Sequence, residues 1–213
     1  MDADTFGARL AELRVVPVVT IDDSADAAGL AGALADGGLP IAEITFRTAS
    51  AAAAIAAIRA ARPDVLVGAG TVLDAATVDH ALAAGAHFIV APGFNPATVT
   101  YAQARGIPVV PGVVTPSEIE AAMSLGLRVL KFFPAEASGG PAYLSAVRAT
   151  YPMVRFMPTG GINVGNLASY LALPNVIAAG GTWIATAGAI RDQRWADITA
   201  LAKEARSIAA GAP

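Results

Sequence analysis

Short runs of β-branched residues alternate with longer alanine-rich stretches along this chain. Eight apolar runs are predicted strands, at residues 15–20, 41–46, 65–70, 88–91, 108–111, 129–133, 155–158 and 176–179. Helical stretches are predicted at residues 24–36, 49–61, 74–84, 96–105, 116–125, 139–149, 163–171 and 192–209. Strands that alternate with helices form parallel sheets, because a parallel connection needs a long crossover. The pattern therefore predicts an α/β fold.

Eight strand and helix units in 213 residues favour a closed (β/α)8 barrel, the TIM barrel. An open doubly wound sheet stays the alternative. No linker or change of composition marks a second domain, so residues 1–213 are predicted to form a single barrel domain. The segment before Val15 carries Phe6 and Leu10 on one face, which predicts an extra N-terminal helix under the barrel.

Composition excludes several classes of function. The net charge is −3 and no basic cluster occurs, so nucleic acid is not a predicted partner. The absence of cysteine excludes disulfides and thiolate chemistry. No window of about 20 residues is apolar enough for a membrane span, and the first residues are acidic, which favours the cytoplasm. His80 and His87 have no clustered carboxylates, so no metal site is predicted. Only 15% of residues are charged, which is compatible with surface hidden in an oligomer.

Lys131 is one of two lysines in the chain, and it lies inside an apolar run that is predicted to be a strand. Burial disfavours the ammonium form, so the neutral amine is predicted to be present in a fraction of the molecules. A neutral lysine is a nucleophile that can form a Schiff base with a ketone. The alternative is that the side chain extends from the strand end into solvent.

A carboxylate lies on another apolar strand. Glu43, Thr45 and Arg47 share one strand face at the two-residue period. A buried carboxylate is costly unless it is paired, and either Lys131 or Arg47 could supply the cation. Because the chemistry of a barrel lies at the carboxyl ends of its strands, we expect these side chains at one rim. A purely structural Glu–Lys ion pair stays open as an interpretation.

Glycine pairs follow the last two predicted strands, where this fold commonly binds phosphate. Gly160 and Gly161 precede a predicted helix, and Gly180 and Gly181 precede Thr182. Such pairs let backbone N–H groups approach an anion, and the amino end of a helix favours negative charge. One pair alone could be turn chemistry, but the two together predict a phosphorylated metabolite.

Seven motifs, taken together, resemble one enzyme family. They are Val16-Pro17-Val18, Glu43-Ile44-Thr45-Phe46-Arg47-Thr48, Val67-Gly68-Ala69-Gly70-Thr71-Val72, Ala91-Pro92-Gly93, Lys131-Phe132-Phe133-Pro134-Ala135-Glu136, Pro158-Thr159-Gly160-Gly161-Ile162 and Gly180-Gly181-Thr182-Trp183. In order and spacing the chain resembles 2-keto-3-deoxy-6-phosphogluconate (KDPG) and 4-hydroxy-2-oxoglutarate (KHG) aldolases of the Entner–Doudoroff type. The resemblance implies a class I aldolase that cleaves KDPG to pyruvate and D-glyceraldehyde 3-phosphate and also acts on KHG. It also implies a homotrimer without metal or organic cofactor.

The resemblance assigns roles residue by residue. It implies that Lys131 forms the Schiff base and that Glu43 is the general acid and base. It places Arg47 and Thr71 on the pyruvyl carboxylate. The residues implied to line the pocket are Pro92, Phe133 and Thr159, and those implied to bind phosphate are Gly160, Gly161, Gly180 and Thr182, with Gly181 in the same glycine pair. Thr182 often matches a serine in the family, and the hydroxyl is retained.

Two alternative functions stay open from the residues themselves. The first is a phosphosugar isomerase or epimerase in which Glu43 is the base and Lys131 only an electrostatic partner. The second is a phosphometabolite-binding protein without catalysis on an inherited barrel.

Overall fold

Helices and short parallel strands alternate in the computed structural model, which describes residues 1–212. The strands are β1 Val15–Val19, β2 Ile41–Thr45, β3 Leu66–Gly70, β4 Ile89–Val90, β5 Val109–Val110, β6 Gly112–Val113, β7 Val129–Phe132, β8 Arg155–Pro158 and β9 Ala179–Gly181. The helices are α1 Ala3–Leu13, α2 Ala27–Asp36, α3 Ala51–Ala61, α4 Ala75–Ala83, α5 Pro96–Ala104, α6 Pro116–Ser124, α7 Gly140–Arg148, α8 Val164–Leu171, α9 Ala187–Arg191 and α10 Trp195–Gly211. The predicted α/β fold is confirmed.

The strands form a curled parallel sheet in two parts. Six strands pair in the order β5-β4-β3-β2-β1-β9, and three pair in the order β6-β7-β8. Only Pro111 separates β5 from β6, and it cannot donate to a ladder because proline has no N–H. Its carbonyl still accepts a hydrogen bond from the Lys131 backbone N–H at 2.9 Å. The break at Pro111 is therefore local.

The ends of some elements differ from the predicted ranges. The predicted strand at 108–111 is divided by Pro111 and extends to Val113. The predicted strand at 176–179 lies at Ala179–Gly181, because these residues are the ones in register with β1, whereas Val176 forms a single bridge to Phe156. The last predicted helix, at 192–209, begins at Trp195, and α9 was not predicted. The helix α9 is only five residues long, too short to show a helical period.

The amino ends of the strands are filled by apolar side chains. Phe6, Leu10 and Leu13 of α1 are buried there in a cluster with Phe88 and residues of several strands. The rings of Phe6 and Phe88 stack with centroids 4.7 Å apart. A second and larger core lies between the outer face of the sheet and the helices. The amino ends of the strands are therefore packed with apolar side chains. The polar side chains of the strands lie toward the carboxyl ends.

Within residues 1–212 no helix combines the length and the apolar character that a membrane crossing requires.

Candidate active site

Glu43 and Lys131 meet inside the curled sheet. Glu43 comes from β2 and Lys131 from β7, and they are 88 residues apart in the chain. Lys131 Nζ lies 3.4 Å from Glu43 Oε1, and the exposed fractions of the two side chains are 6% and 0%. Of the two cations that the sequence allowed for Glu43, the structure places Lys131 beside it. The predicted pairing of a buried carboxylate with a cation is present.

One oxygen of the Glu43 carboxylate has no partner. Glu43 Oε2 is buried and accepts no hydrogen bond from any residue in the described part of the chain. Buried polar atoms are nearly always satisfied, because an unmade hydrogen bond costs about 1–3 kcal/mol. A structural ion pair would be expected to satisfy both oxygens. The unpaired oxygen instead favours a carboxylate that exchanges protons or hydrogen bonds with a ligand.

Strand glycines make room for this pair. A Cβ atom on Gly70 in β3 would lie 2.3 Å from Glu43 Oε1, so the carboxylate rests on the Gly70 backbone. Gly112 in β6 pairs with Lys131, and a Cβ on it would lie 2.0 Å from the carbonyl oxygen of Pro92. Neither glycine was predicted to belong to the Lys131–Glu43 site. The available signal was glycine inside a strand, which often marks a close approach of other groups.

We expect Gly70→Ala to lower the free energy of unfolding by about 1–3 kcal/mol, because the added methyl group overpacks the site at Glu43. Urea denaturation measures this change. Gly7→Ala in α1 is the matched control, since a Cβ there meets no atom within 4 Å and alanine favours a helix. Equal stability of the Gly70→Ala variant and the original protein would show that Glu43 does not need this space.

The segment after β2 presents Arg47 at the same rim. Thr45 is buried, and its hydroxyl donates to the Val19 carbonyl at 3.0 Å. The Thr48 hydroxyl donates to the Ile21 carbonyl at 2.6 Å, which fixes the turn. Arg47 lies between them, is exposed, and makes no hydrogen bond or ion pair with residues 1–212. Its guanidinium group is therefore available for a ligand carboxylate.

Thr71, Pro92 and Phe133 each follow the carboxyl end of a strand. Thr71 has a φ of 60°, which is strained for a β-branched residue and is typical of functional sites. Pro92 lies over Gly112, next to Lys131 in the sheet. The Phe133 ring centroid is 5.2 Å from Lys131 Nζ, a cation–π distance. The structure thus brings Phe133 directly to Lys131 and Pro92 to the neighbouring strand. Within residues 1–212, no hydrogen bond or ion pair joins Thr71 to Lys131 or Glu43.

Thr159 and the two glycine pairs lie side by side. Thr159 forms a parallel bridge with Gly180, and a Cβ on Gly180 would lie 2.4 Å from Thr159 Oγ1. Gly160 and Gly161 have φ values of 100° and 82°, which favour glycine. The Gly161 N–H group donates to no acceptor in residues 1–212. The hydroxyl of Thr159 is buried and unpaired, so this corner offers several polar groups to a ligand.

The other members of the predicted phosphate set lie beside this turn. Gly180 and Gly181 are buried in β9, and Thr182 is exposed directly after them. The helix α8 begins next to Gly161, where Asn163 caps it by accepting from the Gly165 N–H at 2.8 Å. The backbones of the two glycine pairs and the amino end of α8 therefore lie together, an arrangement that suits an anion.

The two histidines lie apart from the site. His87 Nε2 is 2.6 Å from Arg59 Nη1, and burial, with the charge of Arg59, lowers the pKa of His87. His80 lies in α4. In the described part of the chain, no group of three or more His, Cys, Asp or Glu side chains is arranged to hold a metal ion.

Comparisons with known proteins agree with this geometry. The family described as "KDPG and KHG aldolase" matches residues 6–201. A 2-dehydro-3-deoxy-phosphogluconate aldolase of Treponema pallidum is 49% identical, with 93% of this chain and 95% of the relative covered. A KHG/KDPG aldolase of Escherichia coli K12 is 42% identical over 90% of each chain. The crystal structure of the Legionella pneumophila KDPG aldolase, with pyruvate captured as a covalent carbinolamine intermediate, superposes with a TM-score of 0.90 at 41% identity, covering 92% of this chain and 96% of that one. The chain belongs to the KDPG and KHG aldolase family.

Proposed function

We propose that this chain is a class I aldolase that cleaves KDPG to pyruvate and D-glyceraldehyde 3-phosphate and that also acts on KHG. The observation that carries the proposal is the buried pair of Lys131 and Glu43, 3.4 Å apart. A lysine held beside a carboxylate in an apolar site is suited to imine formation. The pyruvate carbinolamine of the Legionella relative supports the same chemistry here.

The first step joins Lys131 to the substrate. The neutral amine attacks the C2 ketone and forms a carbinolamine, while Glu43 moves the proton from nitrogen to the C2 oxygen. Glu43, which carries the proton released when the Lys131 ammonium group became the neutral amine, then protonates the C2 hydroxyl group, which leaves as water, and a protonated imine remains. Glu43 Oε1 is within reach of Lys131 Nζ, and the unpaired Oε2 gives the carboxylate a second position for the proton.

The second step breaks the C3–C4 bond. Glu43, directly or through one water, removes the proton of the C4 hydroxyl group, and the electrons of the C3–C4 bond pass to the imine. The C4 fragment leaves as the aldehyde, glyceraldehyde 3-phosphate. The enamine that remains is protonated at C3, and water then hydrolyses the imine to release pyruvate and regenerate the Lys131 amine.

The other residues hold the two charged ends of the substrate in this proposal. Arg47 binds the pyruvyl carboxylate with its two-pronged guanidinium, and Thr71 contributes a hydroxyl group. The side chains that line the space between the ends are those of Pro92, Phe133 and Thr159. The groups that bind the phosphate are Gly160, Gly161, Gly180, Gly181 and Thr182, a proposal supported by the Gly161 N–H group, which donates to no acceptor in residues 1–212.

We further propose that the sheet closes into one (β/α)8 barrel, with α1 as an extra helix at its amino end, and that residues 1–213 are a single domain. Two features support closure: β5 and β6 are interrupted only at Pro111, and β8 is bridged to β9 through Phe156–Val176 and Thr159–Gly180. Each strand would then have two neighbours, as the fold requires. A homotrimer in the cytoplasm completes the proposal, supported by the family relationship and the low fraction of charged residues.

Release of pyruvate from KDPG and from KHG, followed side by side with lactate dehydrogenase, tests the function. We expect pyruvate from both substrates, with the higher kcat/KM on KDPG, because only KDPG carries a phosphate for the glycine turn. An enzyme that rearranges a phosphosugar without releasing pyruvate would support the isomerase alternative. Binding of KDPG without any turnover would support the non-catalytic alternative.

A further inference from the structure

The geometry points to Glu136 and Tyr170 as positioning residues for the phosphate end of the substrate. They act on the turn formed by Gly160 and Gly161, here called the glycine turn. This inference rests on the proposed function, since it concerns how the enzyme distinguishes a phosphorylated substrate.

The segment that follows Lys131 is joined to the glycine turn through the backbone. The Ala135 N–H donates to the Thr159 carbonyl at 2.8 Å, and the Glu136 N–H donates to the Gly160 carbonyl at 3.1 Å. The segment that follows the nucleophile and the turn that faces the phosphate are therefore linked four and five residues beyond the reactive lysine.

The side chain of Glu136 packs against the glycine turn. A Cβ on Gly161 would lie 2.5 Å from Glu136 Cγ and 2.7 Å from its Cβ, so the aliphatic part of Glu136 lies against the Gly161 Cα. The backbone of Gly161 is in the left-handed region, where glycine has little intrinsic preference for one conformation. Contact with Glu136 thus restricts a turn that is flexible by composition.

Tyr170 fixes the position of Glu136. Tyr170 is fully buried near the end of α8, and its hydroxyl donates to Glu136 Oε1. A hydrogen bond to a charged acceptor is stronger than one between neutral groups. Burial, with the adjacent Glu136 carboxylate, raises the pKa of Tyr170, so the phenol stays protonated and remains a donor at neutral pH.

The carbonyls of the glycine turn are both held by the protein. The Gly160 carbonyl accepts from the Glu136 N–H, and the Gly161 carbonyl accepts from Asn166 Nδ2 at 3.0 Å. The Gly161 N–H group is left for a ligand among residues 1–212, and its direction depends on the peptide planes that these contacts set. Backbone N–H groups bind an anion well only when they are aimed at it, so loss of the Tyr170–Glu136 contact would weaken binding of the phosphate.

Tyr170→Phe tests the inference, with KDPG and KHG assayed in parallel. We expect the KM for KDPG to rise about tenfold, because one oriented polar contact is lost. The kcat should stay within about twofold of the value for the original protein. For KHG, which has no phosphate, we expect both constants to stay within about twofold. A loss of packing or folding alone would affect both substrates equally.

Tyr151→Phe is the matched control. Tyr151 is also buried, and its hydroxyl donates to a glutamate, Glu120, at 2.9 Å. It follows the carboxyl end of α7, whereas Glu136 precedes the amino end of that helix. We expect this variant to leave the KM for both substrates unchanged. A similar KDPG-specific effect in Tyr151→Phe would overturn the assignment.

Glu136→Ala and Glu136→Gln provide a second measurement if Tyr170→Phe does not fold. Glu136→Ala should raise the KM for KDPG selectively, whereas Glu136→Gln, which keeps the length and the acceptor oxygen, should restore most of the affinity. Equal effects on the two substrates, or none, would overturn the inference while cleavage of KDPG by the original protein still supports the function. Absence of that cleavage would refute the function and this inference together.

Discussion

Lys131→Met is expected to lower the rate of pyruvate release from KDPG by about 10⁴-fold or more, because methionine cannot form an imine. Methionine is close to lysine in length and is apolar, so it fits the buried position beside Phe133. Reduction with borohydride in the presence of pyruvate, followed by mass spectrometry of the peptides, gives an independent measurement. The original protein should carry a pyruvyl adduct on the peptide that contains Lys131, and the variant should carry none.

Lys203→Met is the control, because Lys203 is the second lysine of the chain and is exposed on α10. This variant should keep both the adduct and the turnover. If Lys131→Met retained turnover, or if the adduct appeared on Lys203, the assignment of Lys131 as the residue that forms the Schiff base would be wrong. Absence of any adduct in the original protein would favour the base-catalysed isomerase alternative, in which Lys131 only balances charge.

The strands were the most predictable part of the fold. β8 occupies the predicted range, Arg155–Pro158, and β1, β2, β3 and β7 differ from their predicted ranges by a single residue at one end. Four of these five predicted runs begin directly after a proline or a charged residue, so composition marks where they start. The position of β9 was harder to predict, because its range depends on register with β1, and that is a property of the neighbouring strand.

The site could be predicted only in part, because its contacts join distant segments. The sequence indicated that Glu43 needs a cation but allowed either Lys131 or Arg47, since the choice depends on how the sheet curls. The close approach of Gly70 to the Glu43 carboxylate depends on the pairing of β2 with β3. The contact between Tyr170 and Glu136 joins residues that are 34 apart in the chain, and no local sequence pattern predicts it.

Glu43→Gln is expected to lower kcat for KDPG by about 10²–10⁴-fold, the usual contribution of a general acid and base. Glutamine has the same shape as glutamate, so it fits against Gly70 and still offers an oxygen to Lys131 Nζ, but it cannot carry a proton. Binding of pyruvate should therefore change by only about threefold, because Arg47 and not Glu43 is proposed to hold the carboxylate. Steady-state kinetics and the dissociation constant of pyruvate measure the two effects separately.

The control for this variant is Glu120→Gln, which alters an exposed glutamate that accepts from Tyr151, away from the Lys131–Glu43 pair. It should leave both quantities unchanged. An unchanged kcat in Glu43→Gln would remove Glu43 from the proton transfers. A fall of equal size in kcat and in affinity for pyruvate would instead mean that Glu43 acts by holding Lys131 in place. The separation of the two effects therefore distinguishes a proton carrier from an electrostatic partner at the same 3.4 Å distance.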